Sequence, residues 1–483
     1  MVPDSNFRAW IKKCTFDLKF FPVIMKQKLA LVLCVMAAFQ LKAQTSDSLT
    51  LRRIFDFYLT ESTCYKNLEH LSTRIGARLS GSPQAAQAVA WAKKAMYEAG
   101  ADTVYLQPCM VPHWVRGAKE TCSSTSTGSK QKTSYAICAL GGSVATPLAG
   151  IQAEVIEVKS FEELEQLGEA KIKGKIVFYN VFFDHTHLHT GACYGETVIY
   201  RWAGPSKAAK YGAVATIVRS MSSVNNDFPH TGAMGYDTTV SKTKIPCCAI
   251  SYVGADKLQA GLKKDPKLKL SLNMSCQTLK DEPSFNVVGE MKGSVKPDEV
   301  ILAGGHLDSW DLGQGAHDDG AGVVQAIDVL AMYKNMGLRP RHTIRAVAFM
   351  NEENGGAGGR AYFEDTKKHN LKHLAALESD AGGFAPRGIG VDTTSGLYKK
   401  LLGWKPLLDP YFLQYIDAGG GGADIYPLKK LDVPLISFQP DGQRYFDYHH
   451  TADDTFDKVN KRELELSAGV IGALIYLIDL HSH

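Results

Sequence analysis

Five short stretches in the C-terminal part of this 483-residue chain carry side chains of the types that bind metal ions and move protons. Gly304-Gly305-His306-Leu307-Asp308 follows an apolar run and offers an imidazole, with a carboxylate two residues on that can hold the ring or its surroundings. Gly315-Ala316-His317-Asp318-Asp319-Gly320 sets two adjacent carboxylates between glycines, where one carboxylate could bridge two cations while backbone comes close. Aspartate at that place could equally cap a helix. Phe349-Met350-Asn351-Glu352-Glu353 ends a strand-like run; successive strand side chains point opposite ways, so one glutamate can meet a metal while the other meets water. A solvated acidic turn is the plain alternative. Glu378-Ser379-Asp380 again puts acid where an apolar strand ends, and Tyr448-His449-His450-Thr451-Ala452-Asp453-Asp454-Thr455 is either a ligand loop or a helix-capping loop.

No stretch decides alone. Two histidines and three carboxylates at successive strand ends of one sheet would repel and desolvate one another at a cost of several kcal/mol unless cations neutralise them. Donors that are all nitrogen and oxygen suit zinc and tolerate cobalt or manganese, and their number implies two ions.

The elements that must position these stretches follow a strand and helix alternation after Pro283, with strands at 299–303, 343–350, 374–377 and 434–438 and helices at 320–335, 358–368 and 462–480. That order predicts an α/β fold: an open, mixed but mostly parallel sheet flanked by helices, with its site at the carboxyl ends of strands. Ahead of it, 52–59, 61–71 and 84–99 read as helices, 103–116 as strands and 123–133 as a hairpin tip. A smaller mixed α/β unit begins near 149, with strands at 153–158, 173–179 and 213–218 and a helix at 205–211. It holds no clustered acid, base and nucleophile, so its expected part is to shape the enzyme.

Charged residues at 22% and hydrophobic residues at 45% are ordinary for a globular chain and exclude a disordered or multi-span membrane protein. Residues 1–44 read as a leader: Met25-Lys26-Gln27-Lys28 precedes the apolar run 29–39, too short to span a bilayer, and cleavage is expected near Ala43 or Gln44. Met25 is the expected working start. The leader holds seven Lys or Arg and two Asp, so its removal takes the formal net charge from +4 to about −1 and leaves nothing that recommends nucleic acid or an anionic membrane as partner. Eight cysteines remain, none with zinc-finger spacing; disulfides are open to an exported chain, with no connectivity legible.

The string Gly305-His306-Leu307-Asp308-Ser309-Trp310-Asp311 through Gly315-Ala316-His317-Asp318-Asp319-Gly320 resembles, in wording and spacing, the two-zinc aminopeptidase superfamily and most closely its carboxypeptidase Q (plasma glutamate carboxypeptidase) branch. Pro112-His113-Trp114-Val115-Arg116-Gly117 resembles that branch too, and the resemblance spans essentially the whole chain after the leader. It implies a zinc peptidase fold divided as leader and signal peptide 1–44, peptidase domain first part 45–148, inserted protease-associated domain 149–278 and peptidase domain second part 279–483. It implies two zinc ions and no organic cofactor: Asp318 bridging, Glu353 and His450 completing one site, His306 and Asp380 the other. Glu352 is then the general base for a zinc-activated hydroxide, and Asp308 the supporting carboxylate. His450 is preferred to His449 because it stands four residues before Asp454-Thr455, and the peptide Asp318-Asp319 is expected to be cis.

The implied substrate is a short peptide, a dipeptide with free ends, with an aminopeptidase acting on longer peptides as the alternative. A receptor-like relative with a dead site would lack ligands that are present here, and a single-zinc cyclase would lack His306. Gly419-Gly420-Gly421-Gly422-Ala423-Asp424 departs from the Ser-Asp-His wording of relatives outside the branch, so substrate contacts there do not carry over. A homodimer is compatible with the sequence and not fixed by it.

Overall fold

Eight strands, numbered β1 to β8, build the sheet that carries all five stretches: β1 Thr103–Val111, β2 Glu282–Met291, β3 Lys296–His306, β4 His342–Phe349, β5 Lys372–Glu378, β6 Pro386–Val391, β7 Tyr415–Ala418 and β8 Leu435–Pro440. The order across the sheet is β1-β2-β4-β3-β5-β8-β6-β7. Strands β4, β3, β5 and β8 run parallel, as do β6 and β7; β1 with β2, β2 with β4 and β6 with β8 are antiparallel. The mixed, mostly parallel sheet expected from the alternation is the one formed. The computed structural model describes residues 46–125, 132–392 and 396–482. The expected leader and signal peptide at 1–44, and residues 126–131 of the expected hairpin tip at 123–133, lie outside the described residues. One unit spans Ile54–His483, and residues 46–53 ahead of it are helical.

The middle strands are buried along most of their length because helices cover both faces. Val300 to His306 and the whole of β4 are buried. On one face Leu302, Val347, Ala376 and Leu435, from four neighbouring strands, meet Tyr362 of the helix Ala357–His369. Three further helices, α1 Pro83–Glu98, α2 Ala321–Asn335 and α4 Lys461–His481, complete the layers, with Ala357–His369 as α3. In α1, Pro83 stands at the first turn, the Ser82 hydroxyl accepts the Ala85 N–H, and Ala85, Ala88, Val89, Ala92, Ala95 and Met96 form one buried stripe at helical spacing. Helix α4 is long and apolar enough to cross a membrane, but it is a core helix, buried along most of its length against α2.

A buried acid in α2 couples the fold to pH. Asp328 accepts the Ser62 hydroxyl at 2.6 Å and the Thr63 hydroxyl at 3.2 Å. Burial nonetheless pushes its carboxyl up to about 6. Because that value lies above the unfolded one near 3.9, the folded state binds more protons between them. The cost of ionising the group is therefore absent below about pH 4, grows as pH rises through 6, and reaches about 3 kcal/mol by pH 7. Asp328→Asn keeps an acceptor for one hydroxyl, offers the other an N–H as the protonated acid offers it an O–H, and cannot ionise. Its melting temperature is expected to match the parent at pH 4 and exceed it by a few degrees at pH 7. Melts across that range check this, and an offset independent of pH would assign the effect to something other than ionisation.

The second sheet also has eight strands, in the order Lys132–Tyr135, Thr121–Thr125, Lys269–Asn273, Ile151–Val158, Ile176–Tyr179, Ala215–Arg219, Cys247–Ile250 and Ile137–Ala139. It thus recruits strands from 121–139, which the sequence reading placed with the first part of the peptidase domain. Alternating side chains mark a strand but not the sheet it joins. The chain enters and leaves this sheet through a small antiparallel pair, Trp114–Val115 with Gln277–Thr278. All eight described cysteines are buried free thiols, so the disulfides left open by the sequence do not form.

Candidate metal centre

His306 is the last residue of β3 and is 1% exposed. Its Nδ1 lies 3.0 Å from the Asp308 backbone carbonyl, an acceptor only, so Nδ1 carries the proton and Nε2 presents its lone pair. That Nε2 faces Asp318 Oδ1 at 3.1 Å and Asp380 Oδ1 at 3.5 Å. The strand end is close enough to the start of α2 that only glycine fits beside it. A Cβ on Gly305 would lie 2.5 Å from the Asp319 carboxylate and 2.8 Å from the Gly322 backbone. Asp319 uses that proximity, accepting the His306 N–H at 2.9 Å and the Gly322 N–H at 3.0 Å.

The peptide Asp318-Asp319 is cis. Asp318 turns its second oxygen the other way: Oδ2 is 3.3 Å from His450 Nε2, and that same nitrogen is 3.1 Å from Glu353 Oε2. His450 Nδ1 lies 3.2 Å from the Thr231 carbonyl, which fixes its proton there and again leaves Nε2 free to accept. His449 Nε2 is farther off, 3.8 Å from Asp318 Oδ2, and its ring stacks on His450 with centroids 3.5 Å apart. His317, the remaining histidine of these stretches, is stacked at 4.2 Å on Phe384 and takes the Gly383 N–H on Nδ1, so it packs rather than joins the cluster.

Glu352 and Glu353 part company for a different reason from the one expected. Strand β4 stops at Phe349, and Asn351 takes a left-handed conformation at φ 72°, so a turn and not the pleat of a strand separates the two side chains. Buried Asp308 holds that turn, accepting the N–H groups of Asn351 at 2.6 Å, Glu352 at 3.0 Å and Glu353 at 3.4 Å. Burial pushes the Glu352 carboxyl well up, His306 opposes, and Asp380, Glu353 and Asp318 add to the rise.

The donor set fits metal ions. Two ligands each about 2.0 to 2.2 Å from one tetrahedral zinc lie about 3.3 to 3.6 Å apart. The nitrogen and oxygen pairs here are spaced at 3.1 to 3.5 Å. Burial presses both imidazoles towards neutrality, yet Asp380 and Asp318 around His306, and Glu353 and Asp318 around His450, overcome it: these carboxylates call for positive charge. Glu353 Oε1 is buried without a hydrogen-bond partner. Asp184, His187 and Glu196 also lie together on the second sheet's unit, but that group is largely exposed and its 3.0 Å contact between His187 and Glu196 is of a kind made without any ion.

The expected residues thus converge, and several supports went unseen. Asp454 accepts the His317 N–H at 2.8 Å and the Asp318 N–H at 3.2 Å. Arg78, fully buried, donates to the carbonyls of Leu307 at 2.6 Å, Gln314 at 2.8 Å and Gly315 at 2.9 Å, tying down the loop between His306 and Asp318. The Asp454-Thr455 wording pointed at the first; an arginine more than two hundred residues upstream carried no signal.

A family model described as Peptidase family M28 matches residues 286–475. Carboxypeptidase Q of Xenopus laevis is 37% identical over 421 residues, 86% of this chain and 86% of that protein. A solved peptidase M28 precursor from Shewanella amazonensis superposes with a TM-score of 0.84 at 33% identity, covering 90% of this chain and 97% of that one. BSAP, a zinc aminopeptidase from Bacillus subtilis, superposes at 0.61 with 19% identity over 86% and 94% of the two chains, a likeness of fold.

Proposed function

The chain belongs to peptidase family M28, and on that premise we propose that it is an exported exopeptidase that holds two zinc ions and cleaves short peptides, dipeptides with both ends free above all. Membership makes it a metallopeptidase. The observation that carries the two-ion reading is Asp318, whose Oδ1 and Oδ2 face different imidazoles, His306 at 3.1 Å and His450 at 3.3 Å. Asp380 would complete the first site and Glu353 the second. The second sheet, entered and left through the pair at 114–115 and 277–278, is then an inserted domain, and the leader at 1–44 the export signal.

Zinc held by these residues would supply Lewis acidity for a scissile carbonyl and would lower the pKa of water to about 7. The rest falls to the protein. Glu352, kept basic by burial among carboxylates, takes the proton of the attacking water on its carboxylate and passes it to the leaving nitrogen. Asp308 serves by holding the N–H groups of the turn that aims Glu352. A cleft of about 540 Å³ opens beside Asp380, lined by Ala381, Tyr415, Gln439, Tyr445 and Phe446, a size that suits a small ligand.

The test is an assay of the purified, metal-analysed protein on free, amino-blocked and carboxyl-blocked dipeptides and tripeptides. Blocking either end of a dipeptide is expected to lower kcat/KM by about 10- to 100-fold, the size of one lost charged contact. Indifference to the carboxyl end, with tripeptides trimmed from the amino end, would replace this reading with an aminopeptidase.

A further inference from the structure

Thr231, in the second sheet's unit, makes two bonds to His450. Its N–H donates to the His450 carbonyl at 2.9 Å, and its own carbonyl accepts His450 Nδ1–H at 3.2 Å. The pairing matters because His450 sits at φ 63°, a left-handed conformation that costs a non-glycine residue about 1 to 2 kcal/mol and is therefore held by its neighbours rather than by local preference.

Thr231 is itself anchored. Its carbonyl also accepts Arg201 Nη1 at 3.2 Å, so both lone pairs are engaged. Arg201, 7% exposed, donates Nε to the Ala233 carbonyl at 3.2 Å and Nη2 to the Tyr194 hydroxyl at 2.7 Å. Gly232 makes room for it, since a Cβ there would stand 2.2 Å from Arg201 Nη1. On the other flank Arg116 Nη2 reaches the Thr231 hydroxyl at 3.3 Å, and that hydroxyl donates to the Ala139 carbonyl at 3.0 Å.

We propose that Arg201 is a positioning residue for His450: by clamping the 231–233 backbone it fixes, through the Thr231 carbonyl, the tautomer and aim of the ring, so that the second sheet's unit completes one of the two metal sites. The inference rests on the reading of His450 as a ligand. Partners one step out from a metal ligand are worth 10- to 100-fold in metal affinity. Arg201 is the informative choice because its hydrogen-bond partners are neutral, whereas removing Arg116 would strand Asp311 and Glu120.

The experiment measures the affinity of each zinc by chelator competition, with kcat, KM and melting temperature alongside. Because Arg201 acts through the Thr231 carbonyl, one step farther out, Arg201→Met is expected to weaken one zinc by up to about 10-fold, the low end of that range, leave the other unchanged, and lower kcat more than KM; Arg201→Lys should recover part of the loss. Tyr194→Phe, a milder change that removes one bond to the guanidinium, should shift the same zinc in the same direction if Arg201→Met does not fold. Arg219→Met is the control: Arg219 is as deeply buried in the same unit and bonds Asn180 and Asp256, away from Thr231. Both zincs at parental affinity in the Arg201 and Tyr194 variants, or an equal loss in Arg219→Met, would overturn the inference. His450→Ala separates the two claims: if it still holds both ions tightly, the ligand assignment fails and this inference with it, whereas loss of one ion there with none in Arg201→Met refutes the inference alone.

Discussion

Asp318→Asn is expected to release both zinc ions and abolish hydrolysis, although it changes a single atom. The two oxygens of Asp318 face two different imidazoles, His306 Nε2 at 3.1 Å and His450 Nε2 at 3.3 Å, which in the proposed reading belong to different ions. An amide keeps one oxygen, turns the other into a donor that cannot bind a cation, and removes the negative charge between the two sites. Each ion should weaken by more than about 100-fold, because even partners outside the coordination shell are worth 10- to 100-fold. The backbone has reason to stay put: the Asp318 N–H is held by Asp454, and Asp319 continues to clamp His306 to the start of α2. Asp380→Asn and Glu353→Gln, by contrast, should each cost one ion. Metal analysis after dialysis against a weak chelator, with circular dichroism to show the fold intact, reads all three. If Asp318→Asn loses one ion and keeps the other, the bridging role is wrong.

Much of this centre was legible because its residues come in short, dense stretches at strand ends. His306 after an apolar run and Glu352-Glu353 after another mark the carboxyl ends of β3 and β4, and parallel neighbours must bring those ends together. What the sequence concealed is of two kinds. The supports Arg78, Thr231 and Arg201 lie far from the ligands along the chain and act through backbone carbonyls, which no side-chain pattern records. Sheet membership was hidden as well: Thr121–Thr125 and Ile137–Ala139 alternate as any strand does, and only tertiary pairing sends them to the second sheet. The expectation that strand pleating parts Glu352 from Glu353 does not hold, since a left-handed Asn351 and the Asp308 carboxylate make a turn there instead.

Glu352→Gln is the complementary case, in which the metals should stay and the chemistry should go. Glutamine preserves the size of the side chain and the N–H that Asp308 holds at 3.0 Å, so the turn and the neighbouring Glu353 keep their places. It cannot take a proton. A positioned base of this kind is worth about 10²- to 10⁴-fold, and kcat should fall by that factor with KM little changed. The pH profile offers a second reading. Burial, reinforced by Asp380, Glu353 and Asp318 and opposed by His306, raises the Glu352 carboxyl, and a base acts only when ionised. Activity of the parent should therefore fall on the acid side at a pH above the usual carboxylate range, and that limb should be missing from the residual activity of Glu352→Gln. Full turnover in the variant would remove Glu352 from the reaction. Loss of zinc together with activity would make it a ligand and not the base, because a side chain that only moves protons has no reason to hold the metal.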